Sequence, residues 1–367
     1  MRPATAPALA ISRGPSATPS RSSMPSMPVS PLPQNTAWRP QQRDAVHRST
    51  ERCGMKAVRC HNHEIHVHDV PAPSGEGVRV KVAAAGICGS DLHFWQGGFP
   101  VPFTLGHEIS GITPDGRWVA IEPTVYCGHC ERCVRGDYNL CVRGSDAVLG
   151  VGRDGGMSEE IIVPEHCLVP LPGGIAVEDA CLVEPLSVAV RGIAMAGISH
   201  RHKVAVIGGG TIGQCAVVVA RQVSPRVHLF ARHPAQQRAG EILGATLDGA
   251  TDDYDLVIDC AGTDSAMAQA ADLCRPGATI LMLASYWGGL TLPAMQMMMK
   301  ELRTVTSMAQ ARQGLVRDVD IAAATLAGNP LIAPTLITHR LPLEAAAEAF
   351  AIAADRKQGA IKVAFSP

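Results

Sequence analysis

A chain of 367 residues is long enough to bury two cores. A net charge of −1, with 18% charged and 46% hydrophobic residues, gives no electrostatic case for nucleic acid or an anionic membrane surface, and no apolar run is long enough to span a bilayer. Twelve cysteines raise the question of disulfides, but four crowd into one short stretch and others sit singly in apolar runs (Cys215, Cys260). That pattern fits metal binding in a reducing compartment, a cytoplasmic setting, better than a disulfide framework.

Residues 1–54 are rich in Pro, Ser, Ala and Arg, carry only Asp44 and Glu51 as acids, and show no apolar periodicity. They are expected to form a disordered extension. A basic, acid-poor leader also fits an organelle transit peptide, although its prolines work against the amphipathic helix such peptides need. From Met55 the character changes. Residues 55–60 and 64–70 read as a hairpin that carries His61, His63, His66 and His68. A dense His tract can bind metal, whereas strand alternation places several of them on a solvated face.

Val78 to Ala84 predicts the next strand and delivers Cys88. The stretch from Ala83 to Gly111, AAAGICGSDLHFWQGGFPVPFTLGHEISG, then gathers Cys88, His93, His107 and Glu108. A soft thiolate, imidazoles and a carboxylate form a mixture that zinc accepts. Gly86, Gly89, Gly106 and Gly111 are expected to allow tight turns, so that two segments converge on one ion. The spacing alone also fits a buried cysteine and two surface histidines. Pro114-Asp115-Gly116 marks a turn between two further short strands, within Ile112 to Ile121.

Next comes CGHCERCVRGDYNLC, with Cys127, Cys130 and Cys133 two residues apart and Cys141 after seven more. Four thiolates in a short loop make a closed, structural zinc site, and binding the ion orders a loop with little core of its own. Such a run can also ligate an iron–sulfur cluster, but the wide last gap favours zinc. A zinc-ribbon nucleic-acid module lacks its basic face here. Glu184, in Cys181-Leu-Val-Glu184-Pro185, is an acid inside an apolar run and needs an ion-pair partner or a metal.

Lys203 to Ile207 predicts a buried strand, followed at once by Gly208-Gly-Gly210-Thr211-Ile212-Gly213 and an apolar helix, Gln214 to Gln222. In that context the glycines are a dinucleotide fingerprint. Gly208 makes the turn, Gly210 admits the pyrophosphate, Gly213 packs helix on strand, and the amides around Thr211 and Ile212 face the phosphates. The second strand, Arg226 to Phe230, ends where an NAD enzyme places an acid for the ribose 2′-hydroxyl. Ala231 stands there, followed by Arg232 and His233. That substitution favours NADP(H) over NAD(H), because a guanidinium pairs with a 2′-phosphate. The alternative is an exposed Arg232 with no ligand role. Strands at Asp255–Asp259, Ala278–Leu283 and Leu302–Ser307, alternating with helices, complete a doubly wound parallel sheet.

Taken together and in this order, CGSDLHFW, GHEISG, the cysteine cluster, Glu184-Pro185 and the glycine fingerprint resemble the zinc-dependent medium-chain dehydrogenases, the alcohol, polyol and threonine dehydrogenase superfamily. The resemblance runs from about Met55 onward. It implies an α/β fold class: a GroES-like β-rich catalytic domain at 55–187, a Rossmann domain with a doubly wound parallel sheet at 188–320, and a return to the catalytic domain at 321–367. It implies two zinc ions per chain. Cys88, His107 and Glu108 would hold the catalytic ion, with Glu184 as alternate ligand or water-mediated partner, and Cys127, Cys130, Cys133 and Cys141 the structural one.

The same resemblance assigns Ser90 to take the substrate proton, His93 to pass it to solvent, and Asp91 to orient the zinc-bound histidine. Ser90 and His93 would otherwise be loop hydrogen-bonders. Phe94 and Trp95 are expected to line the pocket or the core, and Ala284 to Trp287 to lie near the nicotinamide. The implied activity is hydride transfer between a secondary or polyol-like alcohol and NAD(P)⁺, giving a ketone or aldehyde. Simple alcohol dehydrogenases carry Cys at the position of Glu184, while polyol and threonine dehydrogenases carry Glu-Pro. HFW also resembles the HYW of sorbitol dehydrogenases, so the substrate leans toward polyols. Relatives form homodimers or homotetramers. Two other readings share the scaffold: a zinc-independent quinone or enone reductase, and a non-catalytic zinc-binding protein.

Overall fold

The computed structural model of the chain describes residues 54–99 and 101–367. The disordered extension expected over 1–54 therefore lies outside the described residues, Gly54 apart.

β1 (Met55–His61) and β2 (Glu64–Val70) form the expected antiparallel hairpin, and His61, His63, His66 and His68 are all exposed on it. β3 (Val78–Gly86) leads through Cys88 into α1 (Gly89–Gly97). β4 (Glu108–Ile112) and β5 (Trp118–Ile121) pair antiparallel about the predicted turn. α2 (Glu131–Arg135) lies within the cysteine-rich lobe, followed by β6 (Glu160–Val163), β7 (Leu168–Pro170) and α3 (Val183–Ala196).

The second half alternates strand and helix. β8 (Val204–Ile207), α4 (Thr211–Val223), β9 (Val227–Phe230), α5 (Pro234–Ile242), β10 (Tyr254–Asp259), α6 (Asp264–Leu273), β11 (Cys274–Met282), α7 (Ala294–Met299) and β12 (Arg303–Thr306) follow in order. The strands form one parallel sheet in the order β12-β11-β10-β8-β9. All four residues of β8 are buried, as a strand covered by helices on both faces requires. Beyond β9, the place of a further strand is taken by a single parallel bridge from His228 to Thr246. The chain reverses direction across the sheet between β8 and β10, and that switch point opens the crevice where such folds bind ligands.

A small hairpin, β13 (Arg312–Gln313) with β14 (Val316–Arg317), precedes α8 (Asp318–Gly328) and α9 (Ile332–Leu336). Val319, Ala322 and Leu326 of α8 join α3 and α4 in the core beneath the parallel sheet. The segment from 321 thus begins on the nucleotide side, and the chain re-enters the catalytic sheet at β15 (Ile337–Leu341). α10 (Ala346–Ala354) and β16 (Lys362–Phe365) follow. The catalytic sheet runs β15-β16-β3-β4-β5-β7, with β6 also on β3. Its core contains Val80, Leu105, Ile109, Phe350 and Phe365. Burying each such side chain contributes roughly 1.5–3 kcal/mol relative to exposure. Among the described residues no helix is long and apolar enough to cross a membrane.

Candidate active site

Two local structures bring the first ligand group together. Cys88 precedes α1, and Asp91 in its first turn accepts a 2.8 Å hydrogen bond from the Cys88 amide, which fixes the cysteine at the helix start. Register pairs Gly86 at the end of β3 with Glu108 at the start of β4, so Cys88 and the His107-Glu108 pair emerge side by side. The glycines act differently from the expectation of tight turns. Gly106 does adopt a left-handed φ of 94°. Gly86 and Gly111 do not; they provide room, since a Cβ at Gly86 would lie 2.0 Å from Glu108 Oε2 and one at Gly111 would lie 2.3 Å from the Lys81 carbonyl.

Cys88, His107 and Glu108 each offer a ligand atom, all within 4.8 Å of one another, and both His107 and Glu108 are buried. Glu184, 8% exposed at the start of α3, stands outside that set but close enough to act on His107. Burial opposes a charged His107, yet the Cys88 thiolate and the Asp91 and Glu184 carboxylates outweigh it and hold the imidazole well above its usual range. Burial raises Glu184, with His107 acting against it. Such an excess of negative groups around one imidazole suits a cation, and the thiolate-imidazole-carboxylate set fits zinc.

Ser90 Oγ, Asp91 Oδ1 and His107 Nδ1 are buried without a hydrogen-bond partner among the described residues. No hydrogen bond joins Asp91 to His107; the hydrogen bond of Asp91 goes to the Cys88 amide instead. His93 is exposed at the cleft mouth, and burial together with the nearby Arg356 guanidinium lowers its pKa. Its ring stacks on Trp287 at 5.1 Å and 26°. Phe94 is buried and meets Trp287 edge-on, while Trp95 is half-buried and donates from Nε1 to the His63 carbonyl at 2.8 Å.

Lys362, on β16, was not foreseen. Its ammonium contacts the Glu108 carboxylate at 2.6 Å and the Ile87 carbonyl at 2.8 Å, deep in the protein. The only hint in the sequence is a lone lysine inside the apolar run IKVAF.

The second ligand group is the cysteine lobe. Cys127, Cys130, Cys133 and Cys141 lie with all four sulfurs within 4.8 Å of one another. The Cys127–Cys133 and Cys130–Cys133 sulfurs are 3.8 and 3.4 Å apart. The edge of a zinc–thiolate tetrahedron is about 3.8 Å for a metal–sulfur bond of about 2.3 Å, so the cradle has the right size. The Cys130 amide approaches Cys127 Sγ and the Cys127 amide approaches Cys141 Sγ, each at 3.4 Å. Backbone amides pull the Cys130 thiol down to about 6, while burial pushes Cys133 up to about 12, a spread that a shared cation would level. His129 is exposed and turned to the Cys127 carbonyl.

At the switch point a cavity of about 570 Å³ runs along Gly208, Gly209 and Gly210 to Ala231, Arg232 and His233. Among the described residues no Asp or Glu lines it. Gly208 has φ 101° and makes the turn, and a Cβ at Gly213 would meet the Gly208 carbonyl at 1.8 Å, so helix and strand touch there. Thr211 anchors the start of α4 by donating to the Ile361 carbonyl at 2.7 Å. An adjoining cavity of about 170 Å³ joins this groove to Cys88, His93 and Glu108, with Thr211 and Ile212 on its wall and Ala284 and Ser285 opposite. The two ligand-bearing regions thus share one cleft.

Residues 74–173 match the alcohol dehydrogenase GroES-like domain. The L-galactonate-5-dehydrogenase of Escherichia coli K12 is 30% identical over 310 residues, covering 77% of this chain and 89% of that protein. The chain belongs to the zinc-dependent medium-chain dehydrogenase superfamily. Within this superfamily, the sorbitol dehydrogenase of Halalkalibacterium halodurans is 31% identical over 332 residues, 81% of this chain and 93% of that one. A zinc-binding dehydrogenase of Sinorhizobium meliloti 1021, solved with NADP, superposes with a TM-score of 0.76 at 29% identity over 86% of this chain and all of that one. The RspB alcohol dehydrogenase of Escherichia coli CFT073, solved with NADH, gives 0.76 at 28% identity over 86% of this chain and all of that one. As a medium-chain dehydrogenase the chain is an NAD(P)-dependent oxidoreductase of the alcohol and polyol type.

Proposed function

We propose that this dehydrogenase oxidises the secondary hydroxyl of a polyol-like substrate, reversibly, with NADP⁺ as preferred coenzyme and two zinc ions per chain. The observation that carries this is the single cleft in which Cys88, His107 and Glu108 adjoin the glycine turn. Zinc held there would supply Lewis-acid stabilisation of negative charge at the substrate oxygen, and a bound nicotinamide would supply the hydride acceptor.

The chain's own residues do the rest. Cys88, His107 and Glu108 hold the catalytic ion, and Glu184 stands ready as the alternate carboxylate. Ser90 Oγ, buried and without a partner among the described residues, accepts the proton of the substrate hydroxyl. His93, neutral near pH 7 because burial and Arg356 lower its pKa, carries the proton out at the exposed mouth. Asp91 acts by fixing Cys88 at the start of α1 and by adding negative charge beside His107. Cys127, Cys130, Cys133 and Cys141 hold the structural ion.

The preference for NADP⁺ rests on Ala231 at the end of β9, on Arg232 and His233 beside it, and on a groove with no carboxylate among the described residues. Gly208, Gly210, Thr211, Ile212 and Gly213 cradle the diphosphate. The polyol lean draws on Glu184-Pro185 and on relatives named for sorbitol and galactonate. A homodimer or homotetramer is proposed as well, since β12 is an edge strand beside the exposed Met298 and Met299. The free thiols among the described residues suit the cytoplasm.

The deciding experiment combines zinc content with titration by NADP⁺ and NAD⁺, followed by a polyol screen. Two zincs per chain and tighter NADP⁺ binding are expected. One zinc with no nucleotide binding would overturn the dehydrogenase reading.

A further inference from the structure

Asp259 ends β10 beside the switch point, and it is wholly buried. A buried carboxylate is costly unless hydrogen bonds satisfy it. Its Oδ1 accepts from the Ala261 and Gly262 amides at 2.8 and 3.1 Å, and its Oδ2 accepts from the Tyr286 hydroxyl at 2.8 Å. Its backbone carbonyl accepts from the Leu283 and Ala284 amides at 3.0 and 3.1 Å. One residue thus holds the start of two loops, the one after β10 and the one after β11. The loops also touch, since a Cβ at Gly262 would lie 2.9 Å from that of Ala284. Cys260 and Ala261 of the first loop line the groove along the glycine turn, and Ala284 and Ser285 of the second line the adjoining cavity.

Trp287, next to Tyr286, faces the catalytic domain. Besides stacking on His93, it meets Phe94 edge-on at 5.5 Å and leans on Phe99 at 5.8 Å. Yet Trp287 is 44% exposed, and it is followed by Gly288 and Gly289, whose surroundings are open. Two glycines in open space give the chain no stiffness on that side. The nearest fixed point is therefore the Tyr286 hydroxyl. Burial and the Asp259 carboxylate hold the Tyr286 phenol well above its ordinary range, so it keeps its proton and goes on donating throughout the neutral range.

We propose that Tyr286 is a positioning residue: anchored on Asp259, its hydroxyl fixes the loop after β11 so that Trp287 stands over His93 and closes the outer wall of the alcohol site. The inference rests on the alcohol-oxidising reading above, with His93 as the way out for the proton. Tyr286 lines neither cavity and acts through its neighbour. Without the anchor, the two glycines let the tryptophan swing away and the imidazole loses its cover, while the groove along the glycine turn keeps its shape.

The test is a double-mutant cycle on the zinc-loaded full chain: wild type, Y286F, W287A and the double variant. Oxidation of sorbitol and xylitol by NADP⁺ gives kcat/KM, and calorimetry gives coenzyme affinity. Y286F is expected to lower kcat/KM roughly 3- to 10-fold and to leave coenzyme affinity within about twofold. In the W287A background the same change is expected to cost no more than about 1.5-fold, because its effect passes through the missing ring. A hydroxyl that merely supports the fold would weaken both backgrounds alike, and that result would overturn the assignment. So would a wild-type kcat/KM in Y286F. Should Y286F fold poorly, D259N/Y286F, which leaves no buried charge without its donor, takes its place in the cycle. If the wild type oxidises neither polyol, the polyol reading alone fails and 2-butanol serves as the probe in the same cycle. A wild type inactive on all three alcohols would overturn both readings together.

Discussion

The Lys362 ammonium and the Glu108 carboxylate form an ion pair with side chains only 2% and 1% exposed, from residues 254 positions apart. Removing one partner strands the other charge in the interior. Lys362→Met is therefore expected to destabilise the fold by about 3–5 kcal/mol, and adding Glu108→Gln to recover a large part of that loss. Urea unfolding of the two single variants and the double variant measures the coupling. Additive losses would show that the pair contributes nothing beyond its parts.

The stack of His93 on Trp287 links the imidazole proposed to carry the proton to the loop after β11. Trp287→Ala is expected to lower kcat/KM by about 2- to 10-fold, the worth of an aromatic pair, with coenzyme affinity unchanged. Trp287→Phe should restore most of the loss. Steady-state kinetics with the best polyol substrate makes the comparison.

The cysteine lobe also makes contacts beyond its four thiols. Tyr138 donates to the Ala311 carbonyl at 2.8 Å and Asn139 to the Met308 carbonyl at 2.9 Å, so the lobe secures the segment around the β13–β14 hairpin. Cys130→Ser is expected to lower zinc content by one ion per chain and to loosen the backbone at the already exposed Arg312, so that trypsin cuts there faster. Mass spectrometry of a limited digest reads both the site and the rate of cutting. An unchanged digest would separate the lobe from the hairpin.

Burial pushes the Glu122 carboxyl up to about 7, against the pull of the Tyr138 hydroxyl and Arg317. A carboxyl that is harder to ionise when folded contributes stability below the ordinary carboxyl range, and that contribution disappears as pH rises through about 7. The change is worth roughly 3 kcal/mol. Glu122→Gln should therefore show a flatter stability profile between pH 5 and pH 8 than the parent, read by urea midpoints at matched ionic strength.

Ala231→Asp places a carboxylate at the end of β9, against the ribose. NADP⁺ affinity is expected to fall at least about tenfold relative to NAD⁺, through repulsion of the 2′-phosphate. Fluorescence titration with both coenzymes gives the ratio. A ratio unmoved by the substitution would remove Ala231 and its neighbours from coenzyme choice.

Much of the nucleotide domain is legible in the sequence because its signals are local. A buried strand, a glycine turn and an apolar helix occupy one continuous stretch from Lys203 to Val223. The two candidate metal-binding clusters are legible for the same reason, since each draws on short segments. What stays hidden depends on distant contacts. Nothing around Lys362 names Glu108 as its partner, and nothing around Tyr286 points to Asp259. A glycine that gives room, such as Gly86 beneath Glu108, looks the same in sequence as one that turns the chain, such as Gly106. The single bridge of Thr246 to His228, within a stretch held between Gly244 and Gly249, both with left-handed φ, likewise has no periodic signal to announce it.

The catalytic sheet seats β16 directly beside β3, two strands separated by the whole nucleotide-binding domain. During synthesis the parallel sheet can therefore assemble while the domain that precedes it is still missing an inner strand. β6 already covers Val78–Lys81 of β3, but the Ala85–Gly86 end must wait for its partner until β16 arrives with the lysine that neutralises Glu108. Assembly of the oxidation site is thus a late step, and a ribosome stalled after α9 would hold a chain able to complete its nucleotide fold but not its catalytic one.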